Sequence, residues 1–217
     1  MPCAICHFRK DQRFCPALHD RICAVCCGTE REVSLDCPSD CMYLRQARKH
    51  EKPRTLEDID RRALYPQVEI SEQLLYEREP LLVGLSFAVN KAARADAVLR
   101  DRDAIAALSD LATIYERLVG SGLHYEPANA NPVQQALISE LRKIIAEYRE
   151  LETKHVGYSS LRDSDILQLL VFMLRTAYAR TSGRPRSRAF LDFLAEKFPE
   201  QKAGIEPQQA VSRIIVP

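Results

Sequence analysis

Tryptophan is absent from the 217 residues, glycine is scarce at seven, and no cysteine occurs beyond residue 41. With few glycines and no low-complexity tract, fibrous repeats are excluded, as is disorder over most of the chain. Neither sign of charge dominates: 31 Lys and Arg against 30 Asp and Glu leave a formal net charge of +1. That balance argues against a uniformly basic nucleic-acid clamp and against an acidic solvating tail. Long apolar runs are missing too. The longest, Leu81 to Val89, contains Gly84 and Ser86 and is too short to span a bilayer, so no membrane partner is expected. The opening Met1-Pro2-Cys3-Ala4-Ile5-Cys6-His7 has no stretch of signal-peptide type, and a cytoplasmic protein is expected. No Gly-rich phosphate loop, Gly-x-Ser-x-Gly elbow or His-Glu-x2-His pair occurs. Nothing therefore argues for an enzyme, although a missing motif does not exclude one.

What the chain does hold is eight cysteines in its first 41 residues: Cys3, Cys6, Cys15, Cys23, Cys26, Cys27, Cys37 and Cys41. Cysteines used as small core hydrophobes would scatter, so the clustering points to one local task. In a reducing compartment that task is metal binding rather than disulfide formation. The division expected is a Cys-rich zinc-binding domain over residues 1–50, a helical bundle over 56–199, and a tail over 200–217. Residues 1–55 carry ten Lys and Arg against seven acids, and a charged connector with Pro53 links the two main zones.

Helical punctuation fills the second zone. Asn131-Pro132 reads as an N-cap and first turn, opening a helix striped by Val133, Leu137, Leu141, Ile144, Tyr148 and Leu151 and closed by Gly157. Leu108, Leu111, Tyr115 and Leu118 mark an earlier helix stopped by Gly120 and Gly122. Pro80 starts or kinks one through Leu81, Leu85, Ala88 and Ala92. Asp163 or Ser164 caps the segment from Asp165 to Arg180, whose run Ile166–Leu174 is nearly all apolar and belongs at the centre. Pro185 opens a last helix carrying Phe190, Leu191, Leu194 and Phe198. No stretch alternates as a strand would. The class expected is mainly α, a small zinc-binding domain followed by an antiparallel bundle.

The cysteine spacing is Cys3-x2-Cys6, Cys15 alone, Cys23-x2-Cys26 with Cys27 adjacent, and Cys37-x3-Cys41. A two-residue gap lets both sulfurs of a tight knuckle face one ion. Zinc takes four ligands in a tetrahedron, so eight thiolates make two closed, structural sites with none left over. The last pair precedes a helical segment from Met42, with Asp36 or Ser39 as its cap. A knuckle followed by a helix-borne pair is the layout of treble-clef fingers. Two readings compete with zinc. Cys15-Pro16, Cys37-Pro38 and the Cys doublet also suit an iron–sulfur cluster. A redox dithiol would want a helix start in a βαβ setting. His19, in Cys15-x3-His19, is an alternative ligand that would free one cysteine of the doublet.

Over residues 3–50 this spacing resembles two-zinc interaction fingers of the MYND, HIT and RING kind. The block Cys23-Ala-Val-Cys26-Cys27-Gly28-Thr29-Glu30-Arg31, then Asp36-Cys37-Pro38-Ser39-Asp40-Cys41-Met42-Tyr43-Leu44, is similar to the N-terminus of a bacterial Cys-rich family with a helical C-terminal half. The named fingers end in a His-x3-Cys pair where this chain has His50 alone, and the doublet lies outside their pattern. The resemblance implies an interaction role.

Outside the fingers, Arg175, Arg180, Arg184, Arg186 and Arg188 form a cluster with no acid from 166 to 191, suited to an anion or an acidic partner. Internal pairing and helix-end charge explain the same arginines without a ligand. Glu152-x2-His155 has di-metal spacing but no second copy, and reads as a solvated face. The function expected is a non-catalytic adaptor binding another macromolecule, a protein in the first instance. The alternatives are nucleic-acid binding, through Arg9, Lys10 and Arg13 with Arg184, Arg186 and Arg188, and an enzyme with a bundle pocket lined by His124, Glu116 and Tyr125.

Overall fold

The computed structural model describes residues 1–52, 54–55, 58–124, 126–127 and 131–199, so Pro53, Tyr125 and the tail over 200–217 lie outside the described residues. The cysteine-rich region opens with a hairpin of β1 (Arg13–Cys15) and β2 (Asp20–Ile22), antiparallel, with Phe14 opposite Arg21. Strands of three residues are too short to show alternation, and the sequence reading found none. Helix α1 (Ala24–Glu30) follows, its N-terminus capped by Cys23, whose sulfur accepts the Cys26 N–H. Helix α2 (Met42–His50) starts after Cys41 without a side-chain cap. Asp36 and Ser39, expected to cap it, are engaged by Arg100 and Asp192 instead.

The rest of the described chain is helical. A 3-10 turn (Arg61–Leu64) and a short α3 (Glu72–Glu77) lead into α4 (Glu79–Ala95), α5 (Asp101–Ser121), α6 (Pro132–Val156), α7 (Asp163–Arg180) and α8 (Ala189–Lys197). The local causes are those the sequence suggests at several ends. Pro80 sits in the first turn of α4, and Asn131 accepts the N–H groups of Val133 and Gln134 to start α6. Gly157 closes α6 with a φ of 88°, a conformation that costs glycine little. Gly122 (φ 68°) ends α5, with Gly120 still inside the helix.

Two starts differ from expectation. Helix α7 begins at Asp163, with Asp165 reaching back to the Arg162 N–H at 3.1 Å. Helix α8 begins at Ala189, four residues after Pro185, because its cap comes from another helix. The buried Asp101 carboxylate accepts the N–H groups of Phe190 and Leu191, each at 3.2 Å, and the Ser187 hydroxyl at 2.6 Å. No local pattern could disclose a cap lying 88 residues upstream of the helix it serves.

One core unites these helices, with α5 packing most extensively against α7, and α6 against α4 and α5. As expected, α7 is central: Ile166, Leu169, Leu170, Val171 and Leu174 are all buried. The α6 stripe is rotated from the expected one. Leu137, Ile138, Leu141 and Ile145 are buried, Ile144 is half-buried, and Leu151 is 54% exposed. The helix is wedged between two neighbours, so its buried line follows the residues that face both. Each large aliphatic side chain withdrawn from water contributes about 1.5–3 kcal/mol. Among the described residues, no helix is long and apolar enough to cross a membrane.

Leu170→Ala should therefore cost about 2–5 kcal/mol, read as a lowered midpoint of chemical denaturation. Ile145→Asp should unfold the bundle by stranding a charge. Leu151→Asp should leave the midpoint near the parent's.

Candidate metal centre

Cys3, Cys6, Cys23 and Cys26 converge, with their sulfurs all within 4.8 Å of one another. A tetrahedral zinc with bonds of about 2.3 Å separates its sulfurs by about 3.8 Å, so the quartet needs only slight contraction to close on an ion. Among the described residues it is the one such group of three or more Cys, His, Asp or Glu. The backbone explains the convergence. The first knuckle is closed by the Cys3 N–H to the Arg9 carbonyl and the His7 N–H to the Cys3 carbonyl, both 2.8 Å, with His7 at a φ of 60°. The Ala4 N–H donates to the Arg21 carbonyl at 3.0 Å, tying the knuckle to the hairpin. Cys23 leaves β2 as the cap of α1, and Cys26 follows one turn later.

Backbone donors make this pocket receptive to a cation. The Cys3 sulfur accepts the Cys23 N–H at 3.1 Å and the Ile5 N–H at 3.5 Å. Burial raises the Cys3 thiol, but the N–H groups of Cys6, Cys23 and Ile5 outweigh it and bring it down to about 6. The N–H groups of Phe8 and Arg9 draw Cys6 down as well. Burial, reinforced by the Cys23, Cys6 and Cys3 sulfurs, pushes Cys26 up to about 12. The lowered Cys3 and Cys6 thiols favour the thiolate form that a metal ion takes, and a bound ion would displace the remaining thiol protons. Soft sulfur donors in a tetrahedron suit zinc, and four protein ligands leave no place for substrate or water. A Cys-x2-Cys pair does occupy a helix start here, but the strands beside it form a hairpin rather than a βαβ unit.

The other four cysteines are separated from the first by the helix itself. Neighbouring residues of an α-helix point about 100° apart. On α1 that sends Cys26 to the first quartet and Cys27 to a different small cavity, which Cys15, Cys37 and Cys41 also line. The doublet that looked anomalous in the sequence thus divides, with Cys26 in the converging quartet and Cys27 on the wall of that cavity. Its signal was the run of residues after Cys23, compatible with a helix that the sequence reading did not draw. His19 sits exposed in the hairpin turn with a φ of 53°, and among the described residues it joins no metal-binding group.

The arginines of the expected anion cluster are spread over several internal tasks. Arg175 donates to the carbonyls of Leu64, Tyr65 and Val68 at 2.7–2.9 Å, and Arg188 to those of Leu99 (2.6 Å) and Ala93 (2.9 Å). Arg184 donates to the Arg31 carbonyl at 2.8 Å, and Arg186 lies 3.7 Å from Asp36. Arg180 stacks over the Phe193 ring. Arg180 and Arg184 share one cleft, of about 470 Å³, whose walls also carry Glu51, Asp192 and Glu196.

Glu152 is not a solvated side chain. It accepts Arg78 at 2.6 Å, the Ser159 hydroxyl at 2.7 Å and the Ser160 N–H at 3.0 Å, so it organises the turn after α6. Burial would raise its carboxyl, yet these donors hold it below the usual range. His155 is exposed. Of the pocket proposed for an enzyme, Glu116 accepts Gln67, His124 is exposed, and Tyr125 lies outside the described residues.

No protein-family model, curated protein or solved structure matches this chain. The likeness to interaction fingers therefore rests on the cysteines alone. What stands is a four-cysteine cluster of metal-binding geometry joined to a mainly helical protein.

Replacing Cys6 or Cys23 by Ser should remove one metal equivalent from the purified chain, measured by elemental analysis. Zinc competes with protons for these sulfurs, so its affinity should rise with pH. It should fall steeply once the Cys3 thiolate, of pKa about 6, is protonated.

Proposed function

We propose that all eight cysteines hold two structural zinc ions, and that the finger they build over residues 1–50 is a non-catalytic adaptor that presents a rigid surface to a protein partner. In this reading the bundle over 56–199 is its scaffold, and the protein works in a reducing, cytoplasmic setting. The carrying observation is the distribution of apolar side chains on the finger. Its interior is filled by cysteines with Ile22 and Leu35, while Phe8 (73%), Met42 (67%), Phe14 (52%) and Val25 (52%) stand exposed on a small module. Apolar groups held on rigid backbone, among basic side chains, are the usual material of a recognition surface.

Nucleic acid is the second reading, and its support is local. Arg9 lies over Phe8 and Arg13 over Tyr43, each 4.6 Å from the ring, an arrangement compatible with stacking on bases. Of the arginines expected to contribute, Arg184 and Arg188 donate to backbone carbonyls, whereas Arg186 makes a 3.7 Å ion pair to Asp36.

A photo-crosslinking residue placed at Phe8 should trap a discrete protein in cells, whereas the same residue at Tyr76 on the bundle should not. A nuclease-sensitive adduct at Phe8 would favour the nucleic-acid reading. No adduct at Phe8 would count against both.

A further inference from the structure

Cys15 ends β1, Cys27 lies on α1, Cys37 on the loop after it, and Cys41 precedes α2, yet all four line one cavity of about 10 Å³. That is the space of a single water or ion, too small for an organic ligand. Ile22, Leu35, Pro38 and Leu44 are among the apolar residues of the wall, which Arg31 also joins. The quartet is more open than the first, whose sulfurs alone meet the 4.8 Å separation. Cys37 belongs to the segment between α1 and α2.

That segment is the part of the finger that grips the bundle. Glu32 is buried and held at a φ of 57°. Its carboxylate accepts Arg48 at 2.8 Å and the Ser182 hydroxyl at 3.1 Å, and its carbonyl accepts the Arg186 N–H at 2.8 Å. Asp36, next to Cys37, takes both Arg100 bonds at 2.6 and 2.7 Å. Ser39, between Cys37 and Cys41, donates to Asp192 at 2.6 Å, which also accepts Arg48 at 2.6 Å. Among the described residues, positions 1–28 with the first quartet add no hydrogen bond or ion pair to the bundle. Ion pairs with an exposed partner, such as Asp36 at 48%, hold little on their own, so their geometry must be fixed by something else.

We propose that Cys15, Cys27, Cys37 and Cys41 form a second tetrahedral zinc site that latches the finger to the bundle. Loss of this ion, and not of the one at Cys3, Cys6, Cys23 and Cys26, releases Glu32 and Asp36 from their bundle partners. The inference rests on the two-zinc reading and adds a division of labour to it: one ion shapes the finger, the other sets its attachment.

The Arg186 amide, bonded to the Glu32 carbonyl, reports the latch directly. In zinc-loaded full-length chain, hydrogen exchange at Arg186 should speed up about tenfold or more in Cys41→Ser, with one zinc equivalent lost. Cys6→Ser should also lose one equivalent but leave Arg186 protected. Cys41→His, which keeps a zinc-ligating side chain, should restore both the metal and the protection. Should Cys41→Ser not fold, stripping both ions from the parent with a chelator carries the same reading. Helical circular dichroism retained with Arg186 unprotected supports the latch, and Arg186 still protected without metal overturns it. Cys41→Ser keeping two equivalents, or Cys6→Ser deprotecting Arg186 equally, also overturns it. A parent that purifies with no zinc and takes up none overturns the two-zinc reading itself.

Discussion

The finger cannot be held together by apolar burial, and the rest of the account follows from that shortage. Its buried cluster consists of Cys3, Cys15, Cys23, Cys26 and Cys27 with only Ile22 and Leu35. Even counting the buried Leu44 as well, three aliphatic side chains at about 1.5–3 kcal/mol each do not offset the ordering of ten residues at about 1–2 kcal/mol each. A structural zinc in a cysteine site contributes about 10–16 kcal/mol to folding, the size of term that the proposed metal would supply. The bundle needs no such help, since α4 to α8 enclose a continuous aliphatic core.

Between the two lies a polar seam rather than an apolar one. Arg48 pairs across it with Asp192 and Asp36 with Arg100, while Glu32 accepts the Ser182 hydroxyl. A seam built of charges is specific in direction and register. It is also weakly cohesive compared with the bundle interior. The bundle's other arginines act in a related way. Arg175 and Arg188 each gather carbonyls from a neighbouring turn, tasks that consume the donors an anion would have needed.

The helices were legible where local chemistry decides them. Asn131-Pro132 and Gly157 bracket α6 because cap and left-handed turn are properties of those residues themselves. The burial of Leu170 followed from a run apolar on every side. What stayed hidden was set by distant partners: Asp101 capping α8, Asp36 and Ser39 diverted from α2 to Arg100 and Asp192, and Glu152 pinned by Arg78. The cysteines were legible as candidate ligands by type and spacing, but which four would converge was not. It depends on Cys26 and Cys27 sharing a helix too short, at seven residues, to announce itself by periodicity.

X-ray absorption at the metal edge of the purified full-length chain tests the central claim most directly, because it reads the element and its ligands together. The account predicts zinc with a first shell of four sulfurs at about 2.3 Å and no lighter scatterer. Iron with a short metal–metal distance, or zinc bound by nitrogen or oxygen, would contradict it.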